Sequence, residues 1–278
     1  GICAEVGAAD ARVRFHDYCL GDVGNPCQAT TGPTPTPGPT STPGGPTDLN
    51  YEFNSIPEVN EWLDNDGGQG HNRTLGFETT NILELNTDPD TAPFNNVSML
   101  IEMRQPNQFV IYSPLDPIDS ATNEYAIDTG AFFRITTSFD EFGIVFAANW
   151  DTTKPCPNPA DDFLSCMNNF YVLRVRHLSP SQSIIELAKV SGERDGSGNL
   201  GIQTLSSTEV SFNTEAFINY RVEYNRATGD MEAYADGNLL LTAQDTQFAS
   251  NNYFGLLAAT TPGNDLTKTI FDYYRVTD

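Results

Sequence analysis

Residues 217–225 read FINYRVEYN, with Ile218, Tyr220, Val222 and Tyr224 alternating with Asn219, Arg221, Glu223 and Asn225. A period of two puts the apolar set on one face of an extended chain and the polar set on the other, as a half-buried strand requires. The run turns at Ala227-Thr228-Gly229-Asp230, resumes as MEAYA, turns again at Asp236-Gly237 and continues as NLLLTA. Glycine accepts positive φ, so the Asp-Gly pair predicts a tight hairpin. YFGLLAA and TIFDYYRV follow, separated by Pro262-Gly263-Asn264-Asp265. Upstream, apolar runs between turn signals predict strands over 51–53, 74–85, 97–104, 108–112, 131–138, 142–148, 170–177 and 183–189. No apolar stripe of helical period and no repeat of solenoid or propeller length occurs. Residues 49–278 are therefore expected to form one all-β domain, an antiparallel two-sheet β-sandwich of jelly-roll type.

The residues before it read differently. Residues 1–27 form a small head carrying Cys3, Cys19 and Cys27, too short to bury a core unaided. Residues 28–48 are a Thr/Pro/Gly linker. Proline fixes φ and removes donors, so this segment favours an extended polyproline II course of roughly 60 Å. Its hydroxyls, Thr34, Thr36, Thr40 and Thr42 among them, are candidates for O-glycosylation. Asn72 and Asn96 begin Asn-x-Ser/Thr triplets that permit N-glycosylation.

Charge narrows the partners. With 37 acidic and 14 basic residues the chain has a net charge of −23, which repels nucleic acid and anionic membranes. No apolar run approaches a membrane span. The sequence starts at Gly1 without an initiator methionine, and a mature or trimmed product is the expectation. Cys156 and Cys166 bracket the loop CPNPADDFLSC, and a disulfide between them suits an extracellular setting; two free thiols are the alternative. The three head cysteines allow one internal pair and leave one over.

The C-terminal pattern, RVEYN into a DG hairpin, then YFGLLA and the closing FDYYRV, resembles the concanavalin A-like (laminin G-like) lectin and glucanase domains. That resemblance implies a β-sandwich and a short list of expectations. Glucanases of this kind carry an E-x-D-x-(x)-E pattern on one strand, and the strands that should hold it, AFFRITTS and FGIVFAANW, contain no interior Asp or Glu. The expectation is a protein that is not an enzyme. The resemblance also implies a structural calcium (Ca2+) near the closing strand, with Asp272 as the carried-over ligand and Glu52 as a partner. A solvated or arginine-paired Asp272 is the alternative. Asp64 and Asp66 offer hard oxygens on a Gly-rich turn, although a plain turn is the preferred reading there.

For glycan recognition, Arg134, Arg174 and Arg176 lie at alternating positions of two predicted strands, Arg174 and Arg176 on one face, and Trp150 follows the FGIVFAAN strand where a loop could present it. Rings stack on sugar faces and guanidinium groups suit hydroxyls or carboxylates. The competing readings are a core or rim anchor for Trp150 and partners of an acidic surface for the arginines. His177 is expected at the surface or rim. The function expected is a non-catalytic extracellular module that binds glycans or cell-surface polysaccharide. The alternative is a subunit of a self-associating extracellular filament or sheath, in which head and linker pack on a neighbour. A glycan hydrolase or lyase is the least favoured.

Overall fold

The computed structural model describes residues 48–53, 62, 81–86, 98–103, 109–114, 116–136, 139–149, 167, 169–194, 200–214, 216–261 and 267–278. All of them fall within one compact unit, Pro43–Asp278. The head, most of the linker, Asp64, Asp66, Trp150, Cys156, Cys166, Asn72, Asn96 and the four linker threonines lie outside the described residues.

Fourteen strands are described: β1 (Leu49–Tyr51), β2 (Asn81–Asn86), β3 (Ser98–Met103), β4 (Phe109–Tyr112), β5 (Glu124–Ile135), β6 (Glu141–Ala148) and β7 (Asn169–Ser179) come first. They are followed by β8 (Gln182–Arg194), β9 (Leu200–Val210), β10 (Ile218–Asn225), β11 (Asp230–Ala235), β12 (Asn238–Gln244), β13 (Tyr253–Ala259) and β14 (Thr267–Thr277). One sheet runs β12-β11-β10-β5-β14-β3-β2, with β1 also pairing β14; the other runs β4-β13-β6-β7-β8-β9. Every described pairing is antiparallel. The two-sheet, all-β jelly roll expected from the sequence is the fold observed.

The core lies between the sheets and is rich in rings. Phe142 of β6 packs against Phe133, Tyr220 and Phe271 of the opposite sheet, with ring centroids 4.8, 5.3 and 5.9 Å apart. Trp62 is enclosed by Tyr51, Phe53 and Tyr274 at 5.0–5.3 Å, clasping β1 to β14. Edge-to-face rings at these separations add to area burial, so the aromatic positions of the alternating strands specify which faces meet. The β10 pattern follows the expected alternation, with Ile218, Tyr220, Val222 and Tyr224 buried. The Asp-Gly hairpin also forms as expected: Asp236 and Gly237 both take positive φ, 47° and 76°.

The six-stranded sheet differs from a simple one-sided sandwich. Its outward-facing Val145, Phe170, Val172, Val190 and Leu257 are also fully buried and form a second apolar cluster. Burial on both faces explains why β6 and β13 read as continuous apolar runs rather than alternating ones. At Gly255 a Cβ would lie 2.3 Å from the Tyr112 carbonyl oxygen, so β13 meets β4 too closely for any side chain there. Lys189 Nζ and Tyr171 Oη both reach the Asp245 carboxylate at 2.6 Å and tie the six-stranded sheet to the chain leaving β12.

Three expectations about elements are corrected. Strand β9 was not foreseen, because its polar, short side chains face solvent along a sheet edge. Strand β5 begins at Glu124, seven residues before the expected start, over a stretch whose Ala126, Thr129 and Gly130 carry little hydrophobic signal. Finally, His177 is not at the surface: it is 4% exposed, its Nδ1 lies 2.9 Å from Thr214 Oγ1, and its ring meets Phe133 edge-on.

Candidate functional site

Strand β7 sends Tyr171, Leu173 and Val175 into the core, so Arg174 and Arg176 share the opposite, outward face. The sequence placed these two together correctly. Neighbouring strands then decide what they meet. Arg174 is in register with Glu186 of β8, and Arg176 with Glu141 of β6. Arg174 donates from Nε to Glu141 Oε2 at 2.7 Å, and its Nη2 lies 2.6 Å from the same oxygen. Its Nη1 donates to Glu186 Oε2 at 3.2 Å. Thr204 of β9 donates to the second oxygen of Glu186.

These groups are largely withdrawn from water: Arg174 is 8% exposed and Glu186 4%. Burial pushes the Glu141 carboxyl above its ordinary value, and Arg174 and Arg176 oppose that rise. Arg176 is the less committed cation. Its Nη1 stands 3.9 Å from Glu186 Oε2, its Nε has no hydrogen-bond partner, and its side chain is 30% exposed.

Beside Arg176 sits Phe139, in the turn between β5 and β6, with the guanidinium carbon 5.9 Å from its ring centroid. Phe139 is 49% exposed and has φ of 73°. A bulky residue in the left-handed region is strained and persists only where its surroundings hold it. Here they do. Phe139 N–H donates to the His177 carbonyl, and His177 N–H donates to the Asp140 carbonyl at 2.9 Å. The Asp140 side chain, fully buried, accepts from Thr267 Oγ1 at 2.6 Å, Thr136 Oγ1 at 3.3 Å and Thr261 N at 3.2 Å. An exposed ring is thus fixed at the rim of a buried polar patch. Sequence reasoning missed Phe139, Asp140, Glu141 and Glu186, because positive φ in a Ser-Phe-Asp-Glu turn and a register between distant strands leave no periodic signal.

Arg134 does not belong to this site. It is exposed on β5, next to the core residue Phe133, and so projects from the outer face of the other sheet. Of the three arginines expected to serve glycan recognition, only Arg174 and Arg176 lie on this face.

That other outer face carries the expected calcium pair. Glu52 is gripped by Arg275, whose Nη2 donates to Oε1 at 2.7 Å. Burial pushes the Glu52 carboxyl up, but hydrogen bonds from Arg275 and Asn50 outweigh it and hold it below its ordinary value. Asp272 sits at a bulge of β14, 8% exposed, with Oδ1 buried and without a hydrogen-bond partner. Burial raises its carboxyl, Glu52 adds to the rise and Arg275 opposes it. An orphaned, buried carboxylate oxygen suits a hard cation. Among the described residues no group of three or more His, Cys, Asp or Glu side chains is placed to hold a metal. A cation held by Asp272 and Glu52 would therefore draw its remaining ligands from carbonyls or water.

No protein-family model matches the chain, and no curated protein matches it in sequence. Solved structures do. The legume lectin-like domain from Entamoeba histolytica is 12% identical, covers 83% of this chain and 96% of its own, and superposes with a TM-score of 0.50. A glycoside hydrolase family 16 endo-glucanase from Bacteroides ovatus is 9% identical, covers 82% and 99%, and also gives 0.50. The carbohydrate-binding module CBM66 from Bacillus subtilis is 14% identical over 62% of this chain and 83% of its own, with a TM-score of 0.41.

The endo-glucanase corrects one expectation. The missing E-x-D-x-(x)-E strand leads the sequence to predict a protein that is not an enzyme, yet a hydrolase shares this architecture over most of its length, so a missing local pattern does not separate enzyme from binding module. The chain therefore shares its β-sandwich fold with a legume lectin-like domain and with a family 16 endo-glucanase.

Proposed function

We propose that the chain is an extracellular glycan-binding β-sandwich, and that it engages saccharide at the rim of the six-stranded sheet, where Phe139 and Arg176 reach solvent beside the buried part of its outer face. The observation that carries this reading is Phe139, an exposed ring held at positive φ beside the partly exposed Arg176. Strain is kept where it serves a purpose, and a rigid ring next to a guanidinium offers both a stacking face for sugar C–H groups and donors for hydroxyls. The shared fold supports the reading, as does an acidic surface that disfavours nucleic acid and anionic membranes.

The test is a glycan array followed by calorimetric titration of the hits. Phe139→Ala is expected to weaken binding about tenfold or more, or ~1.4 kcal/mol, without changing the melting temperature. Unaltered affinity in that variant would remove Phe139 from the site. Release of reducing ends, followed in the same samples, distinguishes a binding module from a hydrolase built on this face.

Calcium is proposed at Asp272 and Glu52 as a structural ion, motivated by the orphaned Asp272 Oδ1. Saturating calcium at about a hundredfold excess over its dissociation constant should stabilise the fold by about 2.7 kcal/mol, and Asp272→Asn should abolish the effect. Identical melting curves in calcium and in chelator would count against the site.

A further inference from the structure

We infer that the face built by Phe139, Arg174, Arg176, Glu141 and Glu186 selects uncharged saccharides over uronates and sulfated sugars of the same backbone. This rests on the glycan-binding reading above. The sequence alone points the other way, since two arginines on one face suit carboxylate and sulfate.

The structure cancels that attraction. Two guanidinium groups meet two carboxylates, +2 against −2, so the cluster is formally neutral. Arg174 is already engaged through Nε, Nη1 and Nη2, and its side chain is 9% exposed, which leaves it little capacity for a ligand anion. Arg176 is the cation a ligand can meet. Its Nη1 is 3.9 Å from Glu186 Oε2, so an anionic group brought to Arg176 comes within a few ångströms of a buried carboxylate. Like charges at that range on a partly desolvated face repel well beyond thermal energy. The chain's net charge of −23 adds a repulsive field during approach.

A neutral sugar meets none of this. Its hydroxyls can accept from Arg176 and donate to Glu141, which is 14% exposed, while an apolar ring face rests on Phe139. The carboxylates thus act twice, as hydrogen-bond acceptors and as an electrostatic filter.

The experiment is an array carrying neutral, C6-carboxylated and sulfated versions of the same glucan, galactan and mannan backbones, probed with the full chain and followed by titration. Binding confined to neutral members, with charged counterparts weaker by about tenfold or more, is the expected result. Glu141→Gln should narrow that gap to within about threefold. If that variant does not fold, raising salt from about 0.05 to 0.5 M should narrow the gap for the unmodified chain through screening. Carboxylated or sulfated sugars binding as tightly as neutral ones would overturn the selectivity while leaving the glycan site standing. A blank array from folded protein would overturn the glycan reading, and the selectivity with it.

Discussion

Replacing Arg174 with methionine is expected to cost about 3–5 kcal/mol of folding stability at neutral pH, because it leaves two buried carboxylates without their shared partner. Methionine keeps much of the volume, so packing contributes little of the loss. The pH dependence identifies the cause. Glu141 is held above its ordinary value of 4.5 mainly by burial, with Arg174 opposing. A carboxyl raised on folding contributes stability at low pH that is lost as pH rises from about 4.5 through the raised value. Without Arg174 the rise is larger, so the variant's deficit should be greatest at neutral pH and shrink as pH falls towards 4.5. Urea denaturation of both proteins at neutral pH and near pH 4.5 measures this. An equal deficit at both would mean that lost packing, not stranded charge, is responsible.

The second large effect is expected at Asp140. Its carboxylate gathers three threonine hydroxyls and the Thr261 N–H at the junction of the β5–β6 turn with the chain between β13 and β14. Asp140→Ala removes every one of those acceptors at a fully buried position and should cost about 3–5 kcal/mol. Asp140→Asn, which keeps one carbonyl oxygen, should cost less, on the order of 1–2 kcal/mol. Because the Asp140 carboxylate also ties the turn that carries Phe139 to Thr136, Thr261 and Thr267, the alanine variant is expected to lose saccharide affinity even under conditions where it remains folded. Full affinity in folded Asp140→Ala would show that the turn holds its ring by other means.

What the sequence made legible follows from burial geometry. Strand β10 declared itself because one face is wet and the other dry. Strands β6 and β13, dry on both faces, were still found because their apolar runs are short and bounded by turns. Strand β9 was invisible: Gln203, Thr204, Ser206 and Ser207 alternate without contrast along an edge. The site divides in the same way. Arg174 and Arg176 share a face by simple period-two counting. Their partners come from β6 and β8 through a register that no local pattern encodes, and that register turns an apparent anion site into a neutral one. Arg134 shows the converse limit, since equal spacing on two strands says nothing about which sheet each joins.

The placement of β14 has a consequence for how the protein is made. Although it comes latest in the sequence, β14 lies between β5 and β3 and also pairs with β1, so Leu49 meets Val276. During synthesis β3 can pair with β2 and β5 with β10, but each keeps one bare edge until residues 267–277 arrive to fill the gap between them. The eight-stranded sheet therefore closes only after translation of nearly the whole domain, by pairings of long sequence separation that form slowly. Two partial sheets with bare edges thus wait for one strand, so production is expected to respond to chaperone supply and elongation rate as well as to the stability of the finished sandwich.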